Sequence, residues 1–185
     1  YVKEWFAELY PETTFTEIYG SAPAPASIDA AIEGAGIGWF NYRGWINMDG
    51  WANSGIENLT NANKVFNAII PTCSTGNFST STSVTEKIVR AGSAASPRGS
   101  VNAIGLATSG THTAFNNCLS YGLWHSIFNG GQRNIGIPTL MAEINVWAHY
   151  GASNPYMAKI FTHIWNLIGD PSQEIYLTTP KILTV

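Results

Sequence analysis

Charge is the scarcest property of this 185-residue chain. Asp, Glu, Lys and Arg together make up 11% of it, against about 25% in an ordinary soluble domain. With a formal net charge of -3, no basic stretch exists that would track phosphates, which excludes nucleic acid as a partner. No run of about 18 apolar residues occurs, so no segment reads as a membrane span. Cysteine is nearly absent: Cys73 and Cys118 are the only two. They allow one disulfide at most, too few to staple a chain of this length, so the core must stabilise it. No Cys-x-x-Cys pair and no tight His-x-x-x-His pair occurs among His112, His125, His149 and His163. No metal or other cofactor is therefore expected. The chain opens at Tyr1-Val2-Lys3 with neither an initiator Met nor a signal peptide, which reads as a mature form or an excised domain.

What is present is 45% hydrophobic residues, enough for a substantial core, with Asn, Ser and Thr left to keep the surface wet. That habit suits a secreted or cell-surface protein, and Asn58-Leu59-Thr60 and Asn77-Phe78-Ser79 fit glycosylation acceptors. Periodicity predicts helices over 2–9, 84–91, 115–128, 138–150 and 155–168, and a helix capped by Ser27 through Glu33. Strands are predicted over 37–42, 65–71, 101–107 and 174–178, with a long loop over 43–53 and a turn-rich connector over 92–99. Residues 21–25 read as a connector. The strands are short and continuously apolar, as in strands covered on both faces. Strands alternating with helices predict one domain over 1–185: a three-layer α/β/α architecture with a mostly parallel sheet.

In open parallel sheets ligands bind beyond the carboxyl ends of the strands. Three loops leave those ends, over 43–53, 72–83 and 108–114, and carry Cys73 in the second and His112 in the third. A thiol at a strand end in a Ser/Thr/Gly loop is placed as a nucleophile; the plainer reading is a small buried residue. Cys118 is a possible disulfide partner that would silence it.

Three stretches together carry a resemblance. Asn41-Tyr42-Arg43-Gly44-Trp45-Ile46 is similar to a pattern Asn-Tyr-x-Gly-His-Gly. Cys73-Ser74-Thr75-Gly76-Asn77-Phe78 is similar to Cys-x-x-Gly-x-Phe after a strand. Leu167-Ile168-Gly169-Asp170-Pro171-Ser172 is similar to an ending of aliphatic residues, Gly-Asp-Pro and Ser. In this order and spacing, from about Ser27 to Pro180, the chain resembles the catalytic half of the gingipain family of bacterial cysteine peptidases (C25). That family's large N-terminal subdomain and following immunoglobulin-like domain have no counterpart here.

The resemblance implies a caspase-like fold, a peptide or protein substrate, and a place within a longer multidomain chain. It makes Cys73 the nucleophile and the amides of Cys73 and Ile46 the oxyanion donors. It also puts Trp45 where the family carries its catalytic histidine. Indole donates a hydrogen bond but accepts no proton, so His112, on the loop beyond the neighbouring strand, is the candidate base. Thr111 and Thr113 are expected to orient its ring. Trp45 is expected to fill the imidazole's space and shield Cys73, and Trp45, Asp49 and Trp51 to line the substrate cleft. Trp39 is expected in the core, Arg43 in a salt bridge, and Asp170 in a turn cap. Two functions follow: a cysteine peptidase working through Cys73, or a pseudopeptidase kept as a binding or structural module of a larger secreted protein.

Overall fold

A computed structural model describes residues 1–19, 25–46, 48–79 and 82–178, except for the side chains at 49, 53 and 54. Most of the connector predicted over 21–25 lies outside the described residues, as does the side chain of Asp49. Helix α1 (Val2–Leu9) buries Phe6 on its inner stripe. Helix α2 (Pro25–Glu33) starts two residues before the predicted cap, because Pro25 suits the first helical position. Its Ile28 and Ile32, one turn apart, go into the core.

Strand β1 (Trp39–Asn41) is followed by a 3₁₀ turn over Met48–Gly50 and helix α3 (Trp51–Asn58). The loop expected through Asn53 is thus half helix. Gly50 makes the turn possible at φ 95°, a left-handed conformation that costs glycine nothing. Strand β2 (Phe66–Ile70) leads to helix α4 (Val84–Val89), whose first turn is capped by the Ser83 hydroxyl accepting from the Glu86 amide at 3.2 Å. The connector over 92–99 closes as a hairpin of β3 (Gly92–Ser93) and β4 (Ser96–Pro97). Then come β5 (Ser100–Leu106), α5 (Thr113–Phe128), α6 (Gly136–Tyr150), α7 (Pro155–Ile164) and β6 (Trp165–Ile168).

The main sheet runs β1-β2-β5-β6. The first three strands are parallel and β6 is antiparallel to β5, pairing Ile104 with Leu167 and Leu106 with Trp165. Two predictions fail at this end. The helix expected through 168 stops at Ile164, since Trp165–Ile168 gains more by covering the edge of β5 than by adding a turn in water. Among the described residues the strand expected over 174–178 forms only one bridge, Asn134 to Glu174. Its apolar residues Ile175 and Leu177 are nevertheless buried.

Helices cover both faces of the sheet. Ile69, Ile104 and Leu106 meet α1, α5, α6 and α7 through Phe6, Leu123, Val146 and Phe161. Phe66, Ala68, Ile70 and Ala103 meet α2, α3 and α4 through Ile32, Ile56 and Ile88. The alternation along each strand is why consecutive apolar residues were needed. The architecture is the mostly parallel, two-face-covered α/β arrangement that the sequence predicted. Among the described residues no helix is long and apolar enough to cross a membrane.

Candidate active site

Because β1, β2 and β5 are parallel neighbours, the loops leaving their carboxyl ends share one edge of the sheet. The loop after β2 is stitched onto β5. The Ser74 amide donates to the Thr108 carbonyl at 2.9 Å and the Gly76 amide to the Leu106 carbonyl at 3.0 Å. The Thr75 hydroxyl lies 2.8 Å from the carbonyls of both Ile70 and Thr72. A Cβ on Gly76 would stand 2.9 Å from the Gly105 carbonyl carbon, and one on Gly105 2.7 Å from the Thr75 hydroxyl. Glycine at both positions lets the loop lie against the strand. Ser74 sits at φ 54°, so the chain reverses sharply just after the cysteine.

Cys73 stands in that bend, half-buried, and its thiol is free. Its sulfur lies 2.9 Å from the Thr111 Oγ1, which in turn accepts from the Asn116 side-chain amide at 3.2 Å. Among the described residues no carbonyl accepts from the amide of Cys73 or of Ile46. Cys118 is also free, so the possible disulfide does not form. It is buried between α5 and α6, receives the Asn145 amide at 3.2 Å, and burial pushes its thiol above the ordinary range.

His112 is the N-cap of α5. Its Nδ1 accepts from the Ala114 amide at 3.2 Å, and its ring meets Phe115 edge-on at 6.1 Å. A nitrogen that accepts carries no proton, so the neutral ring bears its proton on Nε2. The expectation that Thr111 and Thr113 orient this ring is corrected: Thr111 is spent on the Cys73 sulfur, and the Ala114 amide holds Nδ1.

The loop after β1 is tied down at several points. The Tyr42 hydroxyl donates to the Trp45 carbonyl at 3.1 Å, and the Thr72 hydroxyl donates to the Gly44 carbonyl. A Cβ on Gly44 would overlap the Tyr42 hydroxyl. Arg43 makes no salt bridge among the described residues. Its Nη1 donates to the Pro71 carbonyl at 2.8 Å and its Nη2 to the Asn117 Oδ1 at 2.7 Å. Trp45 is 76% exposed, so it does not plug the space beside Cys73; Ile46 is exposed as well. Trp51 is not a cleft wall. It opens α3, is wholly buried, and donates its indole N–H to the Asp29 carboxylate at 2.6 Å. The apolar demand beneath α3 outweighs the loop character of the stretch before it.

Trp39 packs on Trp124 with ring centroids 4.8 Å apart, as a core residue would. Asp170 accepts from the amide and hydroxyl of Ser172 at 2.8 and 2.7 Å, which holds its carboxyl below the usual range and makes the expected turn cap. The partners that sequence reasoning missed are Thr72, Asn116 and Asn117; Thr111 was expected here, but beside His112 and not against the Cys73 sulfur. The only clue to Asn116 and Asn117 was their place, one helical turn beyond His112 on α5.

The family model for peptidase family C25 matches residues 1–176. The fold is similar to the crystal structure of the Arg-specific cysteine proteinase gingipain R (RgpB). The TM-score is 0.81 at 20% identity, over 97% of this chain and 42% of that one. It is also similar to the complex of the pro- and mature domains of Porphyromonas gingivalis RgpB. There the TM-score is 0.83 at 18% identity, over 97% of this chain and 43% of that one. The chain thus spans about two fifths of the solved chains it matches. No curated protein matches the sequence significantly.

Proposed function

The chain belongs to peptidase family C25, and from that premise we propose that it is a cysteine peptidase domain whose nucleophile is the Cys73 thiol. The observation that carries this reading is the setting of Cys73. It is a free, half-buried thiol in a sharp bend at the carboxyl edge of the sheet, with its own amide unpaired among the described residues. A nucleophile there would form a thioester with a peptide carbonyl after losing its proton to a base. The amides of Cys73 and Ile46 would face the oxyanion of the tetrahedral intermediate. The proton would go to His112 and then to the departing amine. The Nδ1 lone pair is held by the Ala114 amide, so His112 takes the proton only after releasing its cap, a rearrangement that peptide binding must drive. Trp45, exposed on the same edge, and Asp49 are offered as contacts for the bound peptide. The wild type should hydrolyse casein or a mixed fluorogenic peptide library, and Cys73→Ala should not. Equal turnover by both would end the assignment.

A second reading has its own observation. Position 45 carries an indole that accepts no proton, and the group against the sulfur is a hydroxyl, which is no base near neutral pH. A pseudopeptidase that binds peptides without cutting them would look the same. Binding of peptides by a wild type that never cleaves them supports this reading over the first. In either case we place the protein outside a bacterial cell as part of a longer chain. Its sparse charge supports this, and so does the greater length of the solved chains that it matches.

A further inference from the structure

Among the described residues Arg43 is a cation with no anion. Its two hydrogen bonds, to the Pro71 carbonyl and the Asn117 side chain, go to neutral oxygens. A guanidinium has five N–H donors, so most of its capacity is unspent. Among the described residues the salt bridges lie elsewhere, at Tyr1–Glu4, Lys3–Glu17, Lys87–Glu57 and Arg90–Glu86. Among the described residues the one titratable group acting on its charge is the Tyr1 phenol, not a carboxylate. It stays charged. Arg43 is exposed at the edge of the sheet, so a carboxylate arriving from solvent can reach its unspent N–H groups, and a charge-assisted pair is what it can then form.

Its surroundings point the same way. Pro71 is two residues before Cys73, and Asn117 follows Asn116, which holds Thr111 against the sulfur. Arg43 therefore lies between the nucleophile's strand and a cavity of about 280 Å³ between α5 and α6. Tyr1, Asn117, Tyr121, Asn145 and His149 are among the residues lining it, and among the described residues none of its lining is acidic. With its Oδ1 taken by Arg43, Asn117 presents its amide N–H groups as donors beside the guanidinium.

We propose that Arg43, assisted by Asn117, reads an Asp or Glu side chain of the substrate beside the scissile bond, so that this domain takes acidic peptides. Two parallel N–H groups of a guanidinium match the two oxygens of a carboxylate. The position of that acid relative to a cut bond rests on the peptidase reading; recognition of the carboxylate does not.

The test is therefore made on binding. The full chain carrying Cys73→Ala is titrated with fluorescein-labelled Gly/Ser octapeptides in which Asp, Asn or Arg is scanned through each position. At one or more positions Asp should bind at least tenfold tighter than Asn or Arg, with the advantage shrinking as salt rises. Arg43→Gln should abolish the advantage. So should Asn117→Asp, which keeps the contact but supplies the guanidinium with an internal carboxylate. That second variant decides the matter if Arg43→Gln fails to fold by circular dichroism. Equal binding at every position, tighter binding of Arg peptides, or an Asp advantage that survives Asn117→Asp overturns the proposal. Acid-selective binding by a wild type that cuts nothing would remove the peptidase reading and leave this one standing. Cleavage without acid preference would do the reverse.

Discussion

His112 carries two demands on one ring. As the N-cap of a 16-residue helix its Nδ1 must accept, and as a base it must take up a proton. Substitutions separate the two. His112→Ala should lose about 1 kcal/mol of stability, the ordinary cost of an N-cap, along with any peptide cleavage. His112→Asn restores a good cap and should recover that stability in a thermal melt, while cleavage stays absent. Cleavage by the Asn variant would show that the base lies elsewhere.

The two thiols should also differ. Burial raises the Cys118 pKa, so less of it is thiolate at any given pH. Its iodoacetamide labelling should rise only above the ordinary thiol range of about 8.5, with Cys73 labelled first at pH 8. Faster labelling of Cys118 at that pH would contradict the burial seen here. At this scale the sequence was informative about identity and poor about partners. Cys73, His112 and Asp170 stood out by residue type and loop position. That Thr111 and not His112 meets the sulfur depends on side-chain directions at the start of α5, which no periodicity records.

At the scale of elements, the site depends on how closely the Cys73 loop lies on β5. Gly105→Ala would put a methyl 2.7 Å from the Thr75 hydroxyl and 2.8 Å from the Gly76 amide nitrogen. The backbone must then part, at a cost of about 1–3 kcal/mol. We expect a lowered melting temperature together with a lost or much slowed reaction of Cys73 with peptide-like electrophiles. A variant that keeps both values would mean that the loop is held otherwise.

Buried elements were the legible ones. Phe66–Ile70 and Ser100–Leu106 were read within a residue or so at each end, because covered strands are apolar on consecutive positions. Elements whose pattern fits two periods were misread. Ile164 through Ile168 suits a helix as well as a strand, and the vacancy at the edge of β5 decided between them. Trp51 was misplaced for a similar reason: Gly50 reads as loop chemistry, yet here it starts a buried helix.

For the whole molecule, the parallel order β1-β2-β5 brings three sequence-distant loops to one edge. That arrangement was legible from the alternation of strands and helices alone. The absence of a disulfide was not, since two cysteines 45 positions apart in sequence are compatible with either state. With both thiols free, reducing agent should leave the melting temperature unchanged, and a shift of several degrees would reveal a bridge.

The central claim, that Cys73 is a nucleophile activated in this fold, is tested most directly by intact-mass spectrometry after treatment with a peptidyl acyloxymethyl ketone, an electrophile that waits for an enzyme's thiolate. The account predicts a single adduct on Cys73 in the wild type, and none in Cys73→Ala or in the folded His112→Asn variant. No adduct in the wild type, or labelling of Cys118 in preference to Cys73, would contradict it.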